Sequence, residues 1–413
     1  MPYFKHAELV NQYHVSLKTV HNWIDASKQG KLGLKLQAVG GRTYVADTPN
    51  NSLLLKELAE QGKKYRNTRH QATATPVSKF YDLFTRKQIL DIINNISVHR
   101  EIPRQYNYVG EGATRWDEYT KRLIKDGTPN LLENTVELLH ANLGSVDLLL
   151  KGYTRVNVID IGLGNALPVK DLLEHLLQRG ILHRYIAIDI SEEMLHIAER
   201  NINEWFGDKI KFEGHARDIS FEHFDDVLVD DMLGKDAEKT INLVLLLGGT
   251  PANFRKPTDL LRTIHDSMGS EDLILYTVKP DSELTRRYFS LGVAVDGGHS
   301  LAPIHSYLFS LLNIDESMYT VERGYNEQQR VRFIRVRLNR ALRLVFKFED
   351  GERHIDLEKG DTILLWRAWH RTGLELISQF EKVGFSLIHS SMAKDRECLL
   401  TISGVDTSSD IEA

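Results

Sequence analysis

From residue 153 the chain alternates short apolar runs with amphipathic stretches. VNVIDIG, RYIAIDI, INLVLLL and DLILYTV are of strand length and apolar at most positions. Between them, DLLEHLLQRG, EEMLHIAERNINEWF and PTDLLRTIHDSMG repeat apolar residues three or four apart, as one face of a helix does. KIKFEGHARDIS supplies a further strand. Strand and helix in alternation, with strands that are apolar on both sides, predict a parallel sheet covered by helices on both faces. Ligands of such sheets sit at the carboxyl ends of the strands.

The beginning of the chain has a different rhythm. AELVNQYHVSLKTVHNWIDASKQGKL predicts two short helices and a sharp turn. Leu9, Val10 and Tyr13 form the apolar stripe of the first. Ser16 caps the second, which buries Val20, Trp23 and Ile24 and turns Lys18, Thr19, His21 and Asn22 outward. GLKLQAVGGRTYVADT then predicts a hairpin turning at Gly40-Gly41. Residues 51–75 read as a polar helix (LLLKELAEQ) that decays into a linker, and three or four helices follow to about Gly152.

Charge sharpens the contrast between the two parts. The chain of 413 residues carries a net −5, but residues 1–75 hold 11 Lys+Arg against 5 Asp+Glu, which leaves −11 for the rest. A basic piece on an acidic body suits a module that binds a polyanion. The single cysteine, Cys398, excludes an internal disulfide framework and a cysteine-based zinc cluster, and no metal-ligand spacing appears. No run is apolar enough to span a bilayer, and MPYFKHAELV has no signal-peptide core, so a cytoplasmic protein is expected.

The candidate chemistry lies at the strand ends. Asp160-Ile161-Gly162-Leu163-Gly164-Asn165 lets the backbone approach a ligand, and it lacks the third glycine of a dinucleotide fingerprint. Asp189 ends the next strand, where an acid accepts two hydrogen bonds from a ribose diol. It is equally placed to share in capping the following helix with Ser191. Asp218, followed by Ile219, ends the third strand and suits an adenine edge. The fourth strand stops at LLLGGTPANF, where Gly248 and Gly249 clear a space beside Asn253. Glycines, a strand-terminal acid and a second acid together resemble the pattern of class I S-adenosylmethionine methyltransferases.

LLGGTPANF also resembles the GGTxxNF loop of the histidine-specific Nα-methyltransferases of ergothioneine synthesis. Lys279-Pro280-Asp281-Ser282-Glu283-Leu284, ending at Tyr288, is similar to that family's next conserved stretch, and Tyr108 with Gly112 to its Tyr-x-x-x-Gly segment. GHSLAPIHSYLFSLLNID, RLVFKFEDGERHIDL and TGLELISQFEKVGFSLIHSS resemble the helix and hairpin of its inserted α+β substrate lobe and its last helix and strand. The resemblance covers about residues 76–405. It implies a Rossmann-like core of residues 153–290, a helical part at 76–152, a lobe at 291–365, and a closing segment at 366–405 before a tail at 406–413. It implies S-adenosylmethionine held by Gly162, Gly164, Asp189, Asp218, Ile219, Gly248 and Gly249. Asn253 and Tyr288 would hold the acceptor's amine, Tyr108 would border both ligands, and Glu358 would face the acceptor. Pro168 stands where the family has a lysine, Lys170 coming two residues late. RLIKDGTPN, with Lys125 and Asp126, lacks the family's second tyrosine. The family's imidazole-reading Glu-x-Ser has only Asp356 and Glu358 to match it, with no serine in register.

Residues 1–50 resemble winged helix–turn–helix proteins of the excisionase and mercury-regulator type. That implies Lys18, Thr19 and Asn22 at base edges and Arg42 at phosphate or in the minor groove, docking or dimerisation being the plainer use of such a module. Two other functions remain open at this stage. One is a DNA-binding regulator whose methyltransferase-like body senses a small ligand. The other, a nucleic-acid methyltransferase, is disfavoured by the acidic body.

Overall fold

In the computed structural model of this chain, the described residues are 2–69, 71–125, 131–229, 239–282 and 301–406. They fall into two compact units, Met1–Thr73 with Arg340–Arg343 and Asp356–Gly360, and the remainder.

In the first unit a short strand β1 (Tyr3–Phe4) precedes helices His6–Tyr13 and Leu17–Lys28, strands β2 (Leu36–Val39) and β3 (Arg42–Ala46), and helix Pro49–Arg69. The Ser16 hydroxyl accepts the Thr19 N–H at 3.1 Å and so starts the second helix. The β2–β3 hairpin turns through Gly40 and Gly41, whose φ of +56° and +75° favour glycine. Leu9, Val20, Trp23 and Ile24 are buried together, as the pattern predicts. Leu55 and Ala59 join that core, so the expected boundary after residue 50 is not a seam, and the expected linker is helical as far as Arg69.

After β4 (Ala72–Ala74), the second unit is built on seven strands: β5 (Arg155–Ile161), β6 (Leu182–Asp189), β7 (Phe212–Ala216), β8 (Thr240–Leu246), β9 (Leu273–Val278), β15 (Phe385–Met392) and β16 (Leu399–Val405). Their order is β15-β16-β9-β8-β5-β6-β7. β5 to β9 are parallel, and β16 runs antiparallel between β9 and β15. This is the class I methyltransferase α/β arrangement. Period-two alternation sends Val156 and Val158 to one face, with Leu172, Leu173, Leu176 and Ile202. It sends Ile159 and Ile161 to the other, with Leu260, Ile264 and Phe380. Burying each such aliphatic side chain contributes about 1.5–3 kcal/mol.

Between β9 and β15 come helix Pro303–Leu311 and strands β10 (Tyr319–Asn326), β11 (Val331–Leu338), β12 (Leu342–Phe348), β13 (Gly351–Leu357) and β14 (Thr362–Trp369). β10, β11 and β14 form an antiparallel sheet in that order. β14 runs across residue 365/366, where the lobe was expected to end. The last helix, Gly373–Glu381, opens with the expected capping box of Thr372 and Glu375. No helix among the described residues is long and apolar enough to cross a membrane.

Candidate active site

Register aligns the strand ends. Asp160 of β5 pairs with Ala187 of β6 and Leu245 of β8, and Asp189 pairs with Ala216 of β7. The segments leaving β5, β6, β7 and β8 therefore emerge at one edge of the sheet. They open on a cavity of about 460 Å³, a size suited to a nucleoside-sized ligand.

Gly162, Gly164, Asp189, Asp218, Ile219, Gly248, Gly249, Asn253 and Tyr108, all singled out from the sequence, line this cavity. Gly162 and Gly164 have φ of +63° and +59°. A Cβ on Gly164 would lie 2.6 Å from the Trp116 ring, so glycine there lets that ring approach. Asp189 accepts the Ser191 N–H at 3.0 Å, and Ser191 in turn caps helix Glu192–Phe206, so the capping role and a cavity-facing carboxylate coexist. Burial pushes the Asp189 carboxyl up to about 7. Asp218 is 6% exposed. One of its oxygens accepts from the backbone and hydroxyl of Ser220, while Oδ2 is buried without a partner among the described residues. An orphan carboxylate oxygen in a cavity wall asks for an N–H or O–H from a ligand. A ribose diol at Asp189 and an adenine amine at Asp218 would meet these demands, so the residues present fit S-adenosylmethionine.

The loop after β8 is tied down on both sides. Gly248 and Gly249, with φ of +78° and +74°, donate their N–H groups to the hydroxyl and carbonyl of Thr277, each at 2.9 Å. A Cβ on Gly248 would meet nothing within 4 Å, so the loop leaves space on that side. Thr250–Asn253 form one short 3₁₀ turn. The Trp369 indole N–H then donates to the Phe254 carbonyl at 2.8 Å, which fastens the Asn253 turn to β14. Tyr108 lies under the Arg104 guanidinium at 4.9 Å and edge-on to Trp116.

Not every expected residue arrives here. Glu358, and Asp356 with it, are not among the residues lining the cavity. The reason is topological. They lie in and just after β13, which pairs with β12, whereas the lobe strands that reach the cavity are β11, through Arg332, and β14. Tyr288 lies outside the described residues, as does Asp126. Pro168 lines the cavity, and Lys170 instead sets its ammonium 5.0 Å from the Trp205 ring. Lys18, Asn22 and Arg42 are exposed on the first unit, while the Thr19 hydroxyl is engaged with Ser16 at 2.8 Å.

Sequence reasoning missed a further part of the lining, made by Arg332, Trp366, Ala368, Trp369 and His370. The alternation in TILLWRAWH was a usable signal, obscured by the boundary expected within it. Burial lowers His370 to about 4, so its ring is neutral near pH 7. Among the described residues no group of three or more His, Cys, Asp and Glu could hold a metal ion.

The family described as histidine-specific, SAM-dependent methyltransferase matches residues 86–403. No curated protein matches the chain. Among solved structures it is similar to an S-adenosylmethionine-dependent methyltransferase from Clostridium acetobutylicum ATCC 824, at 10% identity over 70% of this chain and 99% of that one, with a TM-score of 0.39. It is also similar to magnesium protoporphyrin IX methyltransferase from Synechocystis PCC 6803 with bound SAH, at 13% identity over 73% and 98% of the two chains, TM-score 0.38. A third is 1,6-didemethyltoxoflavin-N1-methyltransferase from Burkholderia thailandensis, at 14% identity over 74% and 90%, TM-score 0.34.

Proposed function

Since this chain belongs to the histidine-specific, S-adenosylmethionine-dependent methyltransferase family, we propose that it methylates the α-amine of an amino acid. The observation that carries this reading is the meeting of Asn253 with Asp189 and Asp218 on one cavity. When bound, S-adenosylmethionine supplies a methyl group on a cationic sulfur, which the amine takes through its nitrogen lone pair while the C–S electrons return to sulfur and a proton leaves to solvent. Asp189 and Asp218 would hold the ribose and the adenine. The turns at Gly162, Gly164, Gly248 and Gly249 would let backbone approach. The Asn253 amide oxygen would accept an N–H of the acceptor and so aim its lone pair, with Tyr288 assigned beside it from the sequence. A free α-amine in water titrates at about 7.7–8.0, so desolvation beside the cationic Arg332 is enough to favour its unprotonated form.

Histidine, which the family's description names, is the first acceptor to assay. Calorimetry with S-adenosylmethionine followed by a screen of amino acids for methyl transfer tests the reading. Asn253→Ala should keep donor affinity and lose turnover. Tight donor binding with no amino acid methylated would overturn it in favour of a ligand-sensing regulator.

We infer further that the first unit is a DNA-binding module. Exposed Lys18 and Asn22 on one helix and Arg42 at the hairpin turn support this, together with the basic surplus of residues 1–75.

A further inference from the structure

The wall beside the Asn253 turn carries more information than amine chemistry needs. On β14, Ile363 and Leu365 are buried, and the Arg367 guanidinium pairs with Glu101, while Trp366 and Ala368 line the cavity. Arg332 on β11 stands opposite Ala368, and its guanidinium lies 5.3 Å from the Trp366 ring centroid. Phe254 and Trp116 line the same space. The carboxylates among the described lining residues are Asp189 and Asp218, both on the strand ends that suit the donor.

An imidazole side chain wants a carboxylate or hydroxyl to take its N–H, and among the described residues of this wall there is neither. A cationic side chain would also face Arg332 across a desolvated space. A flat uncharged ring has the opposite balance. Trp366 gives it an apolar face, aromatic pairs add to simple burial, and the small Ala368 leaves room beside Trp366. We propose that the acceptor carries such a ring, so that the protein N-methylates an aromatic amino acid of the phenyl, phenol or indole class rather than histidine. This rests on the α-amine reading and narrows it to one substrate class.

The test uses the full chain with phenylalanine, tyrosine, tryptophan, histidine and leucine. Two readouts are taken: kcat/KM with S-adenosylmethionine, and calorimetric affinity in the presence of S-adenosylhomocysteine. At least one aromatic amino acid should exceed histidine about tenfold or more in both. Trp366→Ala should erase that margin mainly through KM, and Trp366→Phe should retain most of it. The pair Trp366→Glu with Ala368→Ser, which offers an imidazole its missing acceptors, should move preference toward histidine. Unchanged donor affinity shows that the variants are folded. Histidine leading in both readouts, or a margin untouched in a folded Trp366→Ala, overturns this inference and leaves the α-amine reading standing. Failure of every amino acid to bind or react overturns both.

Discussion

Asp189, which we propose holds the donor's ribose, would do so at a cost to folding. Its carboxyl is pushed up to about 7 by burial, so the folded state favours its protonated form. An acid raised in this way contributes stability below its unfolded pKa, near 3.9, and that stability is lost as pH rises through about 7. Asp189→Asn should therefore stabilise the donor-free protein more at pH 8 than at pH 5, by roughly 1–3 kcal/mol, measured by urea unfolding at the two pH values. Asp189→Ala should weaken S-adenosylmethionine binding about ten- to a hundredfold by calorimetry, since hydrogen bonds to a charged acceptor are worth about 1.5–3 kcal/mol. Unchanged affinity would remove Asp189 from the donor site. Asp189, Asp218 and the two glycine pairs were legible in the sequence because each sits at the end of its own strand. Trp366 was not, because which side of β14 meets the cavity depends on pairing with a strand some thirty residues earlier.

At the scale of elements, β14 is held from two sides and holds the Asn253 turn. Arg367 and Glu101 bury an ion pair, and Trp369 bonds the carbonyl of Phe254. Glu101→Gln strands a buried guanidinium and should destabilise the fold by about 3–5 kcal/mol, read from chemical denaturation. Trp369→Phe keeps the ring and deletes one hydrogen bond of about 1 kcal/mol. It should leave donor affinity intact and lower kcat, up to ~100-fold if the Asn253 turn drifts by about 1 Å. An unaltered kcat would mean that the turn holds itself. The core strands and their covering helices were readable as periodicity. The three-stranded sheet of β10, β11 and β14 was not, since its half-buried strands mix arginines with aromatics and its pairing skips over β12 and β13.

The whole molecule joins a basic unit to an acidic methyltransferase body, and the first unit makes its own prediction. Affinity of the full chain for duplex DNA should fall steeply with salt, and Lys18→Ala or Arg42→Ala should weaken it while methyl transfer is unchanged. No shift on any duplex at low salt would leave docking as the use of that unit. That the body is a parallel sheet was legible from strand–helix alternation. That its last strand lies inside the sheet was not, because nothing local in LLTISGV says which neighbours it will have. The placement of β16 between β9 and β15 has a consequence for biosynthesis. β9 ends at Val278 and β16 begins at Leu399, about 120 residues later. At roughly 5–20 residues per second the ribosome needs about 6–24 s to bridge that gap. Throughout it, the nascent sheet presents the edge of β9, a strand buried along its whole length in the finished fold. An unpaired apolar edge recruits other strands. Slow codons placed within the lobe should therefore lower the yield of dispersed protein while each purified molecule keeps its full activity, and extra chaperone during translation should restore the yield.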